Sequence, residues 1–119
     1  MDKFLKRISE DIFKALGPCH LESVYHRAFL LELDEKGFPY AYEVNMPVRY
    51  KNQIVGTVRA DIIIDNTWVV ELKATSSLKQ EHVIQTLHYM DISDIKEGYL
   101  INFPNKTGAE TIEFKKIKN

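Results

Sequence analysis

The sequence predicts one domain of the α/β class, spanning residues 1–119, with a central mixed sheet flanked by helices. Hydrophobic residues recur first at helical spacing, then at every second position, then at helical spacing again, and finally in two further strand-like runs. Elements in this order pack as an α/β or α+β sandwich. The length suits a single core, and 45% hydrophobic with 28% charged residues is an ordinary globular composition.

Two amphipathic helices are predicted before the first strand. The first ends at Gly17-Pro18, because glycine accepts a left-handed backbone and proline cannot continue the helical hydrogen bonds. The second begins near His20 or Leu21 and ends before Gly37. The apolar positions are Phe4, Leu5, Ile8, Ile12, Phe13 and Leu16 in the first helix, and Leu21, Val24, Tyr25, Ala28, Phe29 and Leu31 in the second.

Three strands with period-two alternation follow and are predicted to form an antiparallel meander. Pro47 places the first strand at a sheet edge or at a bulge, because proline cannot donate a ladder hydrogen bond. Gly56 favours a bulge in the second strand, and Asp65-Asn66 forms the tight turn into the third. The predicted strands are Tyr40–Tyr50, Ile54–Ile64 and Thr67–Lys73.

A third helix and two more strands complete the prediction. The helix runs from Lys79 to Met90 or Ile92, with Gln85 and Tyr89 four residues apart on one face. Because this helix is a crossover, the strands before and after it can pair in parallel. The last two predicted strands are Gly98–Phe103 and Thr111–Ile117.

Three ionisable side chains interrupt the apolar second and third strands. Residues two apart in a strand face the same way, so Glu71 and Lys73 point together, and pairing across the turn brings Asp61 close to them. Adjacent carboxylates raise each other's pKa unless a cation compensates, which favours an oxygen-preferring divalent ion. The pattern predicts a magnesium site, with manganese as the second candidate. Such an ion next to a lysine can support phosphodiester hydrolysis.

The spacing of Asp61 and Glu71-Leu72-Lys73 resembles the Asp…(Asp/Glu)-x-Lys signature of the PD-(D/E)xK nuclease superfamily. Within that superfamily the whole chain resembles the GxxExxY proteins, because Glu22 and Tyr25 stand at two positions of their motif. Cys19 stands in place of the glycine that begins the motif, which changes the turn before the helix and not the chemistry. The resemblance implies an αβββαβ core with a short appended strand.

The resemblance also implies roles at the metal. Asp61 and Glu71 would hold the ion and act in catalysis, with the Leu72 carbonyl and Glu22 as further ligands. Lys73 would activate or steer the attacking water and neutralise charge. For Glu22 the structural alternative is a carboxylate favoured by the helix dipole in the first turn.

Five further residues are assigned to the ordering or binding of substrate. Gln85 and Tyr89 are similar to the superfamily's fourth motif, in which the glutamine positions water or a phosphate; a solvated helix residue is the alternative for Gln85. Tyr25 would contact a ligand or the scissile phosphate, or else be a core aromatic. Arg59 shares the face of the signature aspartate, where it clamps a phosphate or neutralises the acidic cluster. His20 is expected at the mouth of the site, in contact with phosphate.

Composition limits the other classes of function. The four histidines form no i, i+4 pair and no HExxH pattern, so most are expected at the surface or partly buried, and one cysteine excludes an internal disulfide framework. A net charge of −1 means that a local patch or a metal must hold any nucleic acid. The sequence has no apolar run that could span a bilayer, so we expect a cytoplasmic protein without a membrane partner. Its small size favours a homodimer.

The sequence therefore predicts a metal-dependent nuclease that hydrolyses phosphodiester bonds in DNA or RNA. The alternative is a non-catalytic module that retains the fold and binds nucleic acid or another protein. The acidic cluster would then be a buried ion-pair network, although two carboxylates and a lysine are costly to bury for stability alone.

Overall fold

Five strands form one mixed sheet with helices on both faces in the computed structural model, which describes residues 1–119. The helices are α1 (Asp2–Leu16), α2 (Glu22–Lys36) and α3 (Gln80–Ser93). The strands are β1 (Tyr40–Tyr50), β2 (Gln53–Ile64), β3 (Trp68–Lys73), β4 (Glu97–Asn102) and β5 (Glu113–Lys118). The predicted α/β class and order of elements are confirmed. None of the helices has the length and apolar character needed to cross a membrane.

The strands lie side by side in chain order, and all neighbours are antiparallel except β3 and β4. β3 and β4 are parallel, with Trp68 opposite Glu97 and Lys73 opposite Asn102, and α3 is the crossover between them. This confirms the predicted parallel pairing. It also places Lys73 at the carboxyl end of β3, where the chain leaves the sheet for α3.

The edge strand β1 and its partner β2 carry the irregularities predicted for them. Pro47 lies on this edge strand, so its missing N–H removes nothing from a central ladder. A little further along, Gly56 and Ile54 face consecutive residues of β1, which leaves Val55 as an extra residue of β2. The bulge predicted at Gly56 is therefore present one residue earlier, at Val55.

The sheet has a hydrophobic core on each face. The core under α1 and α2 contains Leu5, Ile8, Ile12, Phe13, Tyr25, Phe29, Leu33, Ile62, Ile64, Val70, Leu72, Tyr99, Ile101 and Phe103. The core under α3 contains Met46, Ala60, Ile63, Val69, Tyr89, Met90, Ile95, Leu100 and Ile117. Neighbouring residues such as Ile62 and Ile63 enter opposite cores, because successive strand side chains point to opposite faces. Burial of both faces explains the nearly continuous apolar runs of the central strands.

The buried face of α2 differs from the predicted one. Leu21 is 76% exposed and Leu31 is 64% exposed, whereas His26 and Leu33 are buried. Leu21 precedes the first helical turn with an extended backbone, so it does not share the helix face. Leu31 is two residues beyond the buried Phe29, more than half a turn around the helix.

The turn between α1 and α2 holds Cys19 at a φ of 72°, a left-handed conformation that costs a residue with a Cβ about 1–2 kcal/mol. We therefore expect Cys19→Gly to raise the free energy of unfolding by about 0.5–1 kcal/mol, because glycine adopts this φ without strain although it loses more entropy on folding. Urea denaturation under reducing conditions measures the change. Cys19→Ala is the control, since alanine keeps the Cβ. An equal gain in both variants would contradict the assignment to backbone strain.

Candidate active site at the fork between β2 and β3

β2 and β3 are paired only near their shared turn, over residues 62–64 and 68–70. Beyond these pairs the strands separate into a fork, because β2 continues along β1 while β3 continues along β4. Asp61 and Glu71 are the next residues at the opening of this fork. A fork interrupts the ladder, so its backbone groups need side chains or ligands as hydrogen-bond partners.

The carboxylates of Asp61 and Glu71 complete these hydrogen bonds. The Asp61 N–H donates to Glu71 Oε2 at 2.6 Å, and the Leu72 N–H donates to Asp61 Oδ2 at 2.9 Å. The two carboxylates therefore lie side by side, as expected from the strand pairing. Each keeps a second oxygen, and further acceptor capacity, for another partner.

Both carboxyl groups are in surroundings that oppose their ionisation. Glu71 is 1% exposed, and its burial, followed by the negative charge of Asp61, raises its pKa to about 8. Burial also raises the pKa of Asp61 above its ordinary value, against the opposing effects of the Leu72 amide and of His26. The negative charges of the two groups repel each other when both are ionised, and a cation bound between them would relieve the repulsion.

Lys73 and two residues of α3 border the carboxylates. The Lys73 ammonium donates to Gln85 Oε1 at 2.9 Å, and its positive charge partly opposes the rise in the pKa of both carboxyls. Tyr89 follows one helical turn later and is buried. Burial first, and the charges of Glu71 and Asp61 next, raise the pKa of Tyr89, so its hydroxyl stays protonated at neutral pH. The structure thus brings Gln85 and Tyr89 to the signature residues.

α2 contributes Glu22 and His26, which are one helical turn apart. Pairing with His26 lowers the pKa of the half-exposed Glu22, and the charge of Lys73 lowers it further. His26 Nε2 lies 3.6 Å from both Glu22 Oε2 and Asp61 Oδ2. Burial alone would lower the pKa of His26, but the carboxylates of Glu22 and Asp61 outweigh it and raise the pKa. The structure therefore places Glu22 next to the signature aspartate.

His26 is a site residue that sequence reasoning missed. The histidines were expected mostly at the surface or partly buried, whereas His26 is only 6% exposed and lies against the acidic cluster. The available signal was its position four residues after Glu22, which places both on one helix face.

Asn102 is a second missed residue, and it fixes the loop that follows Lys73. Asn102 is fully buried opposite Lys73, its Oδ1 accepts from the Thr75 N–H at 2.9 Å, and its Nδ2 donates to Glu113 Oε1 at 2.8 Å. Glu113 Oε1 also accepts from the Leu78 N–H at 3.0 Å. This network ties β4 and β5 to the connection between Lys73 and α3. The sequence offers no local signal for it, because the partners are far apart along the chain.

Tyr25 requires a correction, because the structure buries it next to the turn before α2, whereas the phosphate contact of the exposed His20 stays a prediction. Tyr25 is fully buried, stacks on Phe103 with ring centroids 4.4 Å apart, and donates its hydroxyl proton to Gly17 O at 2.6 Å. It is the core aromatic considered as the alternative, and no surface is left for a substrate contact. The His20 ring packs edge-on against Tyr25, with Nε2 2.8 Å from Leu16 O. No hydrogen bond or ion pair joins His20 to the carboxylates.

We expect Tyr25→Phe to lower the free energy of unfolding by about 1 kcal/mol, because it removes the hydrogen bond to Gly17 and keeps the stacked ring. Urea denaturation of the two proteins measures this difference. Tyr50→Phe, at an exposed position near the β1–β2 turn, is the matched control and should leave stability unchanged. An unchanged stability of Tyr25→Phe would show that the hydroxyl has no structural role.

Arg59 lies two residues before Asp61 on β2 and stays exposed. Its Nη1 is 3.6 Å from Glu43 Oε2 on β1. Its positive charge also opposes the rise in the pKa of both Tyr89 and Tyr42. The guanidinium is accessible to solvent, and its two predicted roles, phosphate clamp and neutralising partner, stay predictions.

The donors at the fork fit an open metal site, not a closed one. No group of three or more histidine, cysteine, aspartate or glutamate side chains is arranged to hold a metal ion. Magnesium is commonly bound by one or two carboxylates and completes its shell with water and substrate oxygens. The adjacent carboxylates of Asp61 and Glu71 suit such an ion in type and number, and the buried His26 Nε2 has no hydrogen-bond partner of its own.

A mixed five-stranded sheet, helices on both faces and an Asp-Glu-Lys cluster at a strand fork define a nuclease-like α/β domain. Residues 2–116 match the model of the PD-(D/E)XK nuclease superfamily, and the chain belongs to that superfamily. The αβββαβ core expected from the resemblance is confirmed, with α1 before it and β5 after β4.

The protein SSO0001, known from a crystal structure, has a similar fold. The TM-score is 0.61 at 20% sequence identity, over 81% of this chain and 48% of that protein. The chain therefore spans about half of that protein's length. At this identity the similarity concerns the fold alone. No curated protein matches the sequence.

Proposed function

We propose that this protein is a metal-dependent nuclease that hydrolyses phosphodiester bonds in DNA or RNA. The observation that carries the proposal is the pair of adjacent carboxylates, Asp61 and Glu71, with Lys73 held beside them. Groups with such perturbed pKa values concentrate at functional sites. Membership of the superfamily favours a divalent metal and a nucleic acid as the partners.

Asp61 and Glu71 supply the carboxylates that hold the divalent ion in this proposal. The Leu72 carbonyl and the half-exposed Glu22 are the further candidate ligands. These four ligands alone offer only oxygen atoms, a set that favours magnesium, with manganese as the second candidate. When bound, the ion stabilises charge on a phosphoryl oxygen and favours ionisation of the attacking water.

Lys73, Gln85 and Tyr89 order the reacting groups. Because Gln85 accepts one hydrogen bond from Lys73, the ammonium is oriented at the fork and keeps two further protons for water or phosphate oxygens. Its positive charge next to the phosphoryl group stabilises the charge that develops in the transition state. The protonated hydroxyl of Tyr89 is a second donor on the same side.

The substrate would be held by local groups and not by the protein as a whole, since the net charge is −1. Arg59 is the accessible guanidinium next to the fork, where bidentate contact with a phosphate is geometrically favoured. The homodimer and the cytoplasmic location stay predictions from the sequence.

Within the superfamily we assign the chain to the GxxExxY proteins. Glu22 and Tyr25 stand at the motif positions, one beside the acidic cluster and the other in the core. Cys19 has the positive φ that favours glycine, which accounts for the glycine of the motif at this position.

Cleavage assays test the proposed activity. Single-stranded, double-stranded and branched DNA and RNA are incubated with the protein and magnesium or manganese. We expect metal-dependent cleavage that Asp61→Asn abolishes, because asparagine keeps an acceptor for the Leu72 N–H but removes the charge that holds the ion. Asp65→Asn, in the exposed turn of the same hairpin, is the control and should cleave normally. Cleavage that survives chelation, or persists in Asp61→Asn, would refute the assignment.

A non-catalytic module with the same fold is the second candidate. The observation that favours it is that both carboxylates already accept backbone hydrogen bonds and form no closed metal-binding group. That protein would bind nucleic acid or a protein with equal affinity with and without divalent ions, and it would cleave none of the substrates. Calorimetric titration with manganese separates the two, because only the nuclease requires a site that depends on Asp61.

A further inference from the structure

His26 is a buried side chain with one ring nitrogen that has no hydrogen-bond partner. Only 6% of the residue is exposed, and its Nδ1 lies 3.3 Å from the Tyr42 hydroxyl. Its Nε2 is enclosed and makes no hydrogen bond, yet it faces the carboxylates of Glu22 and Asp61 at 3.6 Å from each. Burial of a polar nitrogen without a partner is unfavourable, so this arrangement indicates a further ligand.

We propose that Nε2 of His26 is a ligand of the divalent cation held by Asp61, which gives the site a nitrogen donor and a preference for manganese over magnesium. This inference rests on the metal-dependent function proposed above and names the ion that it uses. Imidazole binds transition metals readily, whereas magnesium is bound by oxygen. A single nitrogen ligand in a site of carboxylate oxygens therefore raises the affinity for Mn²⁺ relative to Mg²⁺, although the two ions have the same charge.

The separation between His26 and Asp61 fits a shared ion better than a direct bond. Their facing atoms are 3.6 Å apart, which is too long for a hydrogen bond. Two atoms that each lie about 2.1 Å from one first-row cation can be separated by up to about 4.2 Å. Asp61 Oδ2 accepts one hydrogen bond, from the Leu72 N–H, and has a lone pair left for an ion.

Tyr42 orients the His26 ring for this role. The two rings meet edge to face, with centroids 5.9 Å apart and an angle of 71° between planes. In the tautomer that donates a proton from Nδ1 to the Tyr42 oxygen, Nε2 has a lone pair that faces two carboxylates. Such an arrangement is repulsive unless a proton on Nε2 or a metal cation lies between the groups. Metal-bound histidines commonly use the other nitrogen in a contact of this kind.

The ligand set is completed from outside the protein. Histidine, aspartate and glutamate side chains form no closed group of three here, so water and substrate oxygens would fill the remaining positions. The competing explanation is that His26 is a protonated counter-ion of Glu22 and Asp61 and never touches metal. The two explanations differ in one measurable property, the coupling between the metal and a histidine nitrogen.

Electron spin-echo modulation of bound manganese measures that coupling. The full-length protein, with all histidines labelled with ¹⁵N, is loaded with less than one equivalent of Mn²⁺. We expect modulation from one directly bound imidazole nitrogen in the wild type and in His88→Gln, an exposed control on α3, and none in His26→Gln. A triple variant that replaces His20, His82 and His88 keeps only His26 and should retain the modulation. This variant tests the inference even if His26→Gln does not fold.

Calorimetry supplies a readout that a structural role would not change. We expect the wild type to bind Mn²⁺ more tightly than Mg²⁺, and His26→Gln to lower the Mn²⁺ affinity by about tenfold or more while the Mg²⁺ affinity changes much less. If manganese binds and its binding requires Asp61, but no coupling to a histidine nitrogen is seen, this inference is wrong and the proposed function still stands. No manganese binding, or equal binding to Asp61→Asn, overturns both.

Discussion

Glu71→Gln is expected to stabilise the metal-free protein by about 3 kcal/mol at pH 8, and by much less at pH 5. Burial and the charge of Asp61 raise the pKa of Glu71 from 4.5 to about 8. Folding therefore favours the protonated carboxyl. The stability from this group is complete below the unfolded pKa of 4.5 and is lost as the pH rises through about 8. Glutamine is neutral at every pH and keeps an oxygen that accepts the Asp61 N–H.

Thermal unfolding in the presence of a chelator measures this effect, and the expected increase in Tm at pH 8 is roughly 10 °C. Glu110→Gln, at an exposed position after β4, is the matched control and should unfold like the wild type at both pH values. Added manganese should stabilise the wild type and not Glu71→Gln, because a ligand that binds only the folded state adds to its stability. Equal destabilisation of Glu71→Gln at pH 5 and pH 8 would show that the carboxylate serves only as a hydrogen-bond acceptor.

The fold was predictable from the sequence because its local signals agree with one another. Period-two runs mark β1 and β2, Gly17-Pro18 separates α1 from α2, and Pro47 identifies an edge strand. The error in the buried face of α2 has a local cause. Leu21 and Leu31 are apolar but lie outside the stripe that packs on the sheet, and apolar character alone does not reveal which way a helix is turned.

The acidic pair was predictable because it depends on one hairpin. A tight turn fixes the register of β2 and β3, and the register brings Asp61 next to Glu71. Lys73 follows from the alternation of side chains within β3. The remaining contacts join elements that are distant along the chain, such as His26 with Asp61 and Asn102 with Thr75. Periodicity in one segment carries no information about the distance between two segments, so these contacts needed the structure.

Tyr25 illustrates the limit of motif transfer. A tyrosine and a glutamate in one short motif suggest a shared role at the substrate. In the structure, however, the two side chains lie in different surroundings. Glu22 pairs with His26 beside the fork, whereas Tyr25 stacks on Phe103 and bonds Gly17. A motif can therefore combine a residue of the site with a residue that fixes the helix bearing it.

Lys73→Met is expected to lower the single-turnover rate of cleavage by about 10²–10³-fold, because it removes the ammonium that stabilises the developing charge and keeps the aliphatic stem. Gln85→Ala should cost about tenfold, since Gln85 contacts the Lys73 ammonium at 2.9 Å and acts by positioning it. The double variant should then be no slower than Lys73→Met alone. When two residues act as one unit, removal of either one already removes most of their joint contribution to the rate, so the two losses do not multiply. Lys36→Met, in the last turn of α2, is the control for the loss of a lysine and should cleave normally.

The double variant decides what Gln85 does. If its amide bound the attacking water or a phosphate directly, removal of Lys73 would leave that contact intact, and the two losses would multiply. If Gln85 acts only by positioning the Lys73 ammonium, then substitution of Gln85 has no further effect on the rate in a protein that already lacks the ammonium. Multiplicative losses would therefore exclude the positioning role, and rates of Gln85→Ala equal to wild type would exclude any role. Because Gln85 is exposed and Lys73 lies at the end of its strand, none of these substitutions opens a cavity in either core, so folding is expected to survive them.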